Sequence, residues 1–192
     1  MSDAEAETID EKPRELDQQQ IEFIEAQKMF FVGTAPASLD GHVNISPKGM
    51  DSLRVLGPTT IAYLDVTGSG VETISHLKEN GRLVMMFCAF EGKPLTLRLH
   101  GRGEVIETHN PEFSELIELF PELPGIRSII RLNIDRVADS CGWTVPLFEF
   151  AGTRDYYDKY AEHIGVEGMR AGQLKSNMTS IDGMVGLDKP SV

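Results

Sequence analysis

Between residues 29 and 138 the chain offers six short runs with strand-like patterning, and only two short helical runs interrupt them. The six lie at 29–34, 42–46, 59–66, 82–90, 95–108 and 127–138. Along the fifth, Leu95, Leu97, Leu99 and Gly101 alternate with polar residues, the mark of a strand with one buried face, because successive side chains leave a strand on opposite sides. Gly101 and Gly103 within it predict a bulge or a bend where the backbone approaches something closely. The first two runs, joined by the Pro, Ser, Asp and Gly residues of 35–41, read as a hairpin. Strands in such spacing, without a covering helix after each one, argue against alternating β-α units. They predict a closed antiparallel barrel, mainly β within an α+β class, with short flanking helices.

Four helices are expected around it. Residues 16–28 are amphipathic, and 71–79 have helical spacing through Ile74 and Leu77 with Asn80-Gly81 as a stop. Asn110 as N-cap and Pro111 at the first helical position open a helix to about residue 120. Residues 154–165 form a polar helix carrying Tyr156, Tyr157 and Tyr160, and the Gly, Ser and Asn residues after it read as a tail. The domain reading is a disordered acidic segment 1–15, one domain over 16–150, and a helix with its tail over 151–192.

With 192 residues and 41% hydrophobic content, the chain can bury one sizeable core. The net charge of −12 excludes a nucleic-acid surface, which needs clustered Lys and Arg. Half of that acidity is local: residues 1–28 hold nine Asp or Glu against three Lys or Arg. Across 42–64, Lys48 and Arg54 face only Asp51, so an anionic ligand finds its best local field there. Two cysteines, Cys88 and Cys141, give neither a disulfide framework nor metal spacing, and no apolar run reaches bilayer length. The expectation is a cytoplasmic protein with no metal and no membrane or nucleic-acid partner.

Two stretches carry chemistry. In Gly41-His42-Val43-Asn44-Ile45-Ser46-Pro47-Lys48-Gly49 a short strand runs into a hydroxyl, a proline turn and a lysine, parts suited to gripping a phosphate. About twenty residues later Thr67-Gly68-Ser69-Gly70 opens a helix, offering hydroxyls and free backbone N–H groups to the same anion. Each group has an ordinary structural role beside the functional one: Ser46-Pro47 is a common turn pair, and Thr67, Ser69 or Thr73 can simply cap a helix. A dinucleotide fingerprint fails because Thr73 stands where its third glycine belongs. There is no nucleotide P-loop and no serine-hydrolase elbow, and His42, His76, His100, His109 and His163 lack paired zinc spacing.

Taken in order, His42-Val-Asn-Ile-Ser-Pro-Lys-Gly49, Asp65-Val-Thr-Gly-Ser-Gly-Val-Glu-Thr73, Met86-Phe-Cys88, Gly101-Arg-Gly103 and Ser140-Cys-Gly142 with Val145-Pro146 resemble the FMN-binding split-barrel superfamily. The similarity is to its pyridoxamine 5'-phosphate oxidase-related branch, over about residues 30–150. The resemblance implies a six-stranded antiparallel split β-barrel that forms a homodimer, with FMN in a groove between subunits. It implies that Ser46, Lys48, Thr67 and Thr73, with Asn44 beside them and Ser69 in the glycine turn, hold the cofactor. Trp143, a large planar side chain that can exclude water, either covers the flavin ring from the partner chain or only seals the dimer. The implied activity is an FMN-dependent oxidoreductase acting on a small molecule or a reduced nicotinamide, with no catalytic side chain assigned. The alternative is a non-catalytic storage or sensor protein that holds flavin or haem on the same fold. The chain departs from the vitamin B6 oxidases where Glu72-Thr73 replaces an Arg-Lys pair, and where residues 177–187 replace their Arg-containing C-terminal substrate segment.

Overall fold

The computed structural model describes residues 15–191; the acidic segment expected to be disordered lies almost wholly outside them. Helix α1 (Gln18–Ala26) is followed by strands β1 (Phe30–Thr34), β2 (Asn44–Lys48), β3 (Leu53–Gly57) and β4 (Thr60–Val66), then by α2 (Glu72–Asn80), β5 (Arg82–Cys88) and β6 (Thr96–Glu107). A single helical turn, α3 (Phe113–Leu116), runs into a 3₁₀ turn (Ile117–Leu119) before the long β7 (Ile126–Ser140) and α4 (Tyr156–Ser176).

All seven strands lie in one antiparallel sheet, in the order β2-β1-β5-β6-β7-β4-β3. The expected count of six is therefore corrected to seven, and the sheet is not closed by hydrogen bonds: β2 and β3 are its two edges. Yet only residues 49–52 separate these edges in sequence. Six strand spacings would set the edges of a flat sheet about 29 Å apart, whereas five Cα steps reach about 18 Å at most. The sheet must therefore curl until its edges nearly meet, leaving a seam. β3 escaped the sequence pattern because each of its residues is only partly buried, so it shows no alternation.

Curling gives the sheet two apolar sides. One core gathers Ile24, Phe30, Val32, Tyr63, Ile74, Met85, Phe87, Leu97, Leu99 and Ile130 inside the curl. A smaller one, Ala62, Leu64, Ile106, Phe120 and Ile129, lies under α3. β4 serves both, with Ile61 and Tyr63 facing the first core and Ala62 and Leu64 the second, which is why it reads as an unbroken apolar run.

Local chemistry sets the boundaries. Asp17 caps α1 through a box in which its carboxylate accepts from Gln20 N–H at 2.8 Å and its own N–H donates to the Gln20 side chain at 3.0 Å. Gly81, at φ 68°, ends α2 in the left-handed turn that a side chain would strain. The expected bulge in β6 is present: its register against β7 shifts between His100 and Gly101, where a Cβ on Gly101 would lie 2.0 Å from the Asn133 carbonyl oxygen. The helix expected from Asn110 begins later. Asn110 accepts from Glu112 N–H at 3.0 Å, closing a turn, and α3 starts only at Phe113. α4 runs well past the expected residue 165, with a break in its path at Gly165 (φ 64°). The segment read as a tail packs into the body: Leu187 is 1% exposed in the main core.

Candidate functional site

β2 is an edge strand, so it tolerates Pro47, which has no N–H to give a ladder. Its two-residue period turns Asn44, Ser46 and Lys48 to one partly buried side and leaves Ile45 and Pro47 exposed. Facing them, the end of β4 passes through Thr67-Gly68-Ser69-Gly70 into the first turn of α2. Between the two lies a cavity of about 470 Å³, with Gly49, Met50 and Ser52 of the seam on one side and Arg127 and Tyr157 on another. Met50 and Asp51 take left-handed backbone angles (φ 63° and 53°), a conformation costly for side chains other than glycine and one that concentrates at functional sites.

The cavity wall is organised by one buried carboxylate. Asp65 accepts from Lys48 Nζ at 3.0 Å on one oxygen and from Arg127 Nε at 2.6 Å on the other, and its side chain is wholly buried. Burial alone would raise its pKa. Arg127 and then Lys48 outweigh burial and hold it at about 2. Arg127 also donates to the Gly70 carbonyl at 2.7 Å, which ties β7 to the glycine turn. Lys48 Nζ sits 5.5 Å from the centre of the Tyr63 ring, and burial, followed by the Asp65 charge, pushes the Tyr63 hydroxyl well above its ordinary range. Two cations meet one carboxylate here, and Glu72, which also lines the cavity, brings the count of positive and negative charges around it level.

Around these charges the neutral donors are networked. Asn44 Nδ2 donates to Thr73 Oγ1 at 3.0 Å and to Thr34 Oγ1 at 3.2 Å, while Ser46 Oγ donates to Asn44 Oδ1 at 3.1 Å. The α2 N-terminus has no side-chain cap, so its first N–H groups remain for a ligand. Glu72 stands in that first turn, and its carboxylate accepts from Ile181 N–H at 3.3 Å, which turns it toward the C-terminal segment. Tyr157 donates to the Pro124 carbonyl at 3.2 Å, and its hydroxyl is raised to about 12, chiefly by burial.

Of the residues singled out in the sequence, Asn44, Ser46, Lys48, Thr67, Ser69 and Thr73 all line this one cavity. Trp143 does not; it is 80% exposed in the turn after β7 that the Val145 N–H closes on the Gly142 carbonyl at 2.9 Å. Arg54, expected to add to the local field, is spent on Asp51 at 3.1 Å and on the Leu119 carbonyl at 2.7 Å. Sequence reasoning missed Asp65, Arg127 and Tyr157. Asp65 left a signal, as the one charge inside the apolar run of β4, but its partner Arg127 is 62 residues away and looked like an ordinary strand start. No lining residue is His or Cys, and among the described residues no cluster of three or more His, Cys, Asp or Glu could hold a metal. Nor, among them, is any helix long and apolar enough to cross a membrane. The arrangement is suited to holding an anion-bearing ligand between a basic strand end and a helix N-terminus.

Comparison with known proteins places these features in a family context. Residues 16–141 match the family model described as pyridoxamine 5'-phosphate oxidase. A pyridoxamine 5'-phosphate oxidase family protein of Aspergillus flavus is 39% identical over 178 residues, spanning 84% of this chain and 71% of its own length. Among solved structures, a candidate pyridoxamine 5'-phosphate oxidase from Lactobacillus delbrueckii superposes with a TM-score of 0.53 at 22% identity, covering 66% of this chain and 95% of its own. HupZ of Group A Streptococcus superposes at 0.52 with 18% identity, over 70% of this chain and 100% of its own. At these identities the two structures speak for the fold.

Proposed function

The chain belongs to the pyridoxamine 5'-phosphate oxidase family, in which flavin binding is common, and from that premise we propose an FMN-dependent oxidoreductase, homodimeric and cytoplasmic, acting on a small molecule or a reduced nicotinamide. The observation that carries this reading is the meeting of Asn44, Ser46 and Lys48 with Thr67, Ser69 and Thr73 across a single cavity that has the Lys48 ammonium and the α2 N-terminus on its wall. Its volume, about 470 Å³, lies within the range of roughly 300–1,000 Å³ usual for cofactor sites. The donors fit a phosphorylated flavin: an uncapped helix N-terminus with the Ser69 and Thr73 hydroxyls for the phosphate, and Lys48 for the phosphate or the electron-rich pyrimidine edge.

Bound flavin would supply the hydride and electron chemistry. The chain's part is to bind and orient it. Asp65 holds the Lys48 ammonium against the cavity wall, the Asn44 amide fixes Ser46 and Thr73, and Leu64, Val66 and Leu123 exclude water from one side. The dimer reading draws on Val43, Ile45, Trp143, Leu147, Phe148 and Phe150, each more than half exposed, as apolar surface a second copy would cover. Trp143 would then cover the ring from the partner chain. The unpaired thiols of Cys88 and Cys141 fit a reducing compartment.

The test is direct. Freshly purified protein should be yellow, or should quench the fluorescence of added FMN with a micromolar or tighter dissociation constant. No chromophore and no binding would overturn the reading. One observation favours a non-catalytic holder as the second reading: no cavity residue ordinarily titrates near neutral pH, so the wall offers no general acid or base there. Bound flavin that NADH and NADPH leave oxidised would decide for it. A haem version has no histidine or cysteine on this wall to act as axial ligand.

A further inference from the structure

Residues beyond 141 lie outside the family match, yet two side chains from this region reach back to the glycine turn of the cavity. Gln173 and Asn177 are both 0% exposed. The Gln173 amide donates to Thr67 Oγ1 and to Ser191 Oγ, each at 2.7 Å, and its carbonyl accepts from Ser191 N–H at 2.7 Å. The Asn177 amide donates to the Gly68 carbonyl at 2.9 Å and to the Gly70 carbonyl at 3.3 Å. Its own oxygen is buried without a partner, so only the NH₂ end can face the two carbonyls. The segment is anchored further on by Leu187 in the core and by Lys78 Nζ on the Gly186 carbonyl at 2.6 Å.

Two consequences follow for a ligand. Thr67 donates its one hydroxyl proton to the Gly125 carbonyl at 2.8 Å while accepting from Gln173, so that hydroxyl has no proton left for an anion. In a trans peptide the carbonyl and the following N–H point in opposite directions. Holding the Gly68 and Gly70 carbonyls therefore sends the N–H groups of Ser69 and Val71 away from Asn177, as a fixed pair of donors.

We propose that Gln173 and Asn177 are positioning residues: they make the C-terminal segment a clamp on the ligand-binding turn, convert Thr67 into an internal strut, and leave Ser69, Thr73 and the turn's N–H groups as the grip on an anionic ligand. Only the ligand half of this inference rests on the flavin reading. Because coupling between two sites is reciprocal, a bound ligand must in turn tighten the clamp.

The experiment uses the full chain and reads two quantities. In ligand-free protein, hydrogen exchange of the Thr67 amide, which donates to the Gly125 carbonyl at 2.8 Å, should quicken at least ten-fold in Gln173→Leu and Asn177→Leu, with the β5–β6 ladder unchanged. Gln173→Glu, which keeps the size and the bond from Ser191 N–H but cannot donate to Thr67, should do the same if the leucine variant fails to fold. With FMN as probe, Thr67→Val and Gln173→Leu should weaken binding by similar factors that do not multiply in the double variant. Thr67→Ser should restore affinity, and Ser69→Ala should multiply with either. Unchanged exchange at the Thr67 amide, or multiplying effects of Thr67→Val and Gln173→Leu, overturns the clamp. Quickened exchange in a chain that binds no FMN upholds the clamp and sinks only the flavin reading.

Discussion

Replacing Asp65 by Asn keeps the shape of the side chain and removes its charge, which isolates what the carboxylate does for the cavity wall. In the wild type its two oxygens serve two cations, Lys48 at 3.0 Å and Arg127 at 2.6 Å. An amide has one acceptor oxygen, so one cation loses its partner and meets an N–H donor instead. Removing one member of a buried ion pair costs about 3–5 kcal/mol. Here the lower end applies, about 3 kcal/mol, because the Lys48 side chain is 20% exposed and can turn into the cavity, whereas that of Arg127 is only 5% exposed but keeps its bond to the Gly70 carbonyl. For a chain of this size that corresponds to a fall in Tm of roughly 6–12 °C. The pH dependence carries a sign. Folding lowers the Asp65 pKa from 3.8 to about 2, so its contribution is complete above about pH 4 and is lost as pH falls through about 2, with about half gone by pH 3. Urea unfolding followed by circular dichroism at pH 7 and pH 3 should therefore show a gap between wild type and Asp65→Asn that narrows in acid. A variant within 0.5 kcal/mol of wild type at pH 7, or a gap that does not change with pH, would refute this reasoning.

Three further outcomes are expected. Lys48→Ala should weaken FMN about ten-fold or more, the value of one charge-assisted hydrogen bond; unchanged affinity would confine Lys48 to its structural role beside Asp65. Glu72→Gln should tighten FMN about two- to five-fold by removing a negative charge from the helix end that faces the phosphate, while costing α2 a few tenths of a kcal/mol; fluorescence titration and thermal melts read both, and equal or weaker binding contradicts the charge argument. Gly101→Ala should destabilise by about 2 kcal/mol or more, since the added methyl meets the Asn133 carbonyl oxygen at 2.0 Å; a melt superimposable on wild type would mean the β6 bulge can absorb a side chain.

The legibility of the chain followed the range of the forces involved. Strands with one buried face, the α2 stop at Gly81 and the bulge at Gly101 were readable because each is set by neighbours in sequence or by one face of one element. β3 was not, since partial burial on both sides erases the period. On the site side, the hydroxyls and Lys48 could be found because they cluster in two short stretches. The carboxylate that organises them could not be matched to Arg127, because only the pairing of β4 with β7 brings the two together. The C-terminal segment misled for a related reason: its Gly, Ser and Asn content looks like a solvated tail, and Leu187 alone gives little sign of a core residue.

The seam between β2 and β3 has a mechanical meaning. A cylinder left unstitched along one line can widen there without breaking any rung of its ladder, because the wall bends and nothing is torn. The strap at residues 49–52, with its left-handed Met50 and Asp51, limits that widening together with the Lys48–Asp65 ion pair and the Asn44–Thr73 hydrogen bond, which reach across the same line. What joins the two edges of this wall is therefore four residues of backbone and a few polar side chains of the strand that lines the cavity, with no rung of the ladder between them.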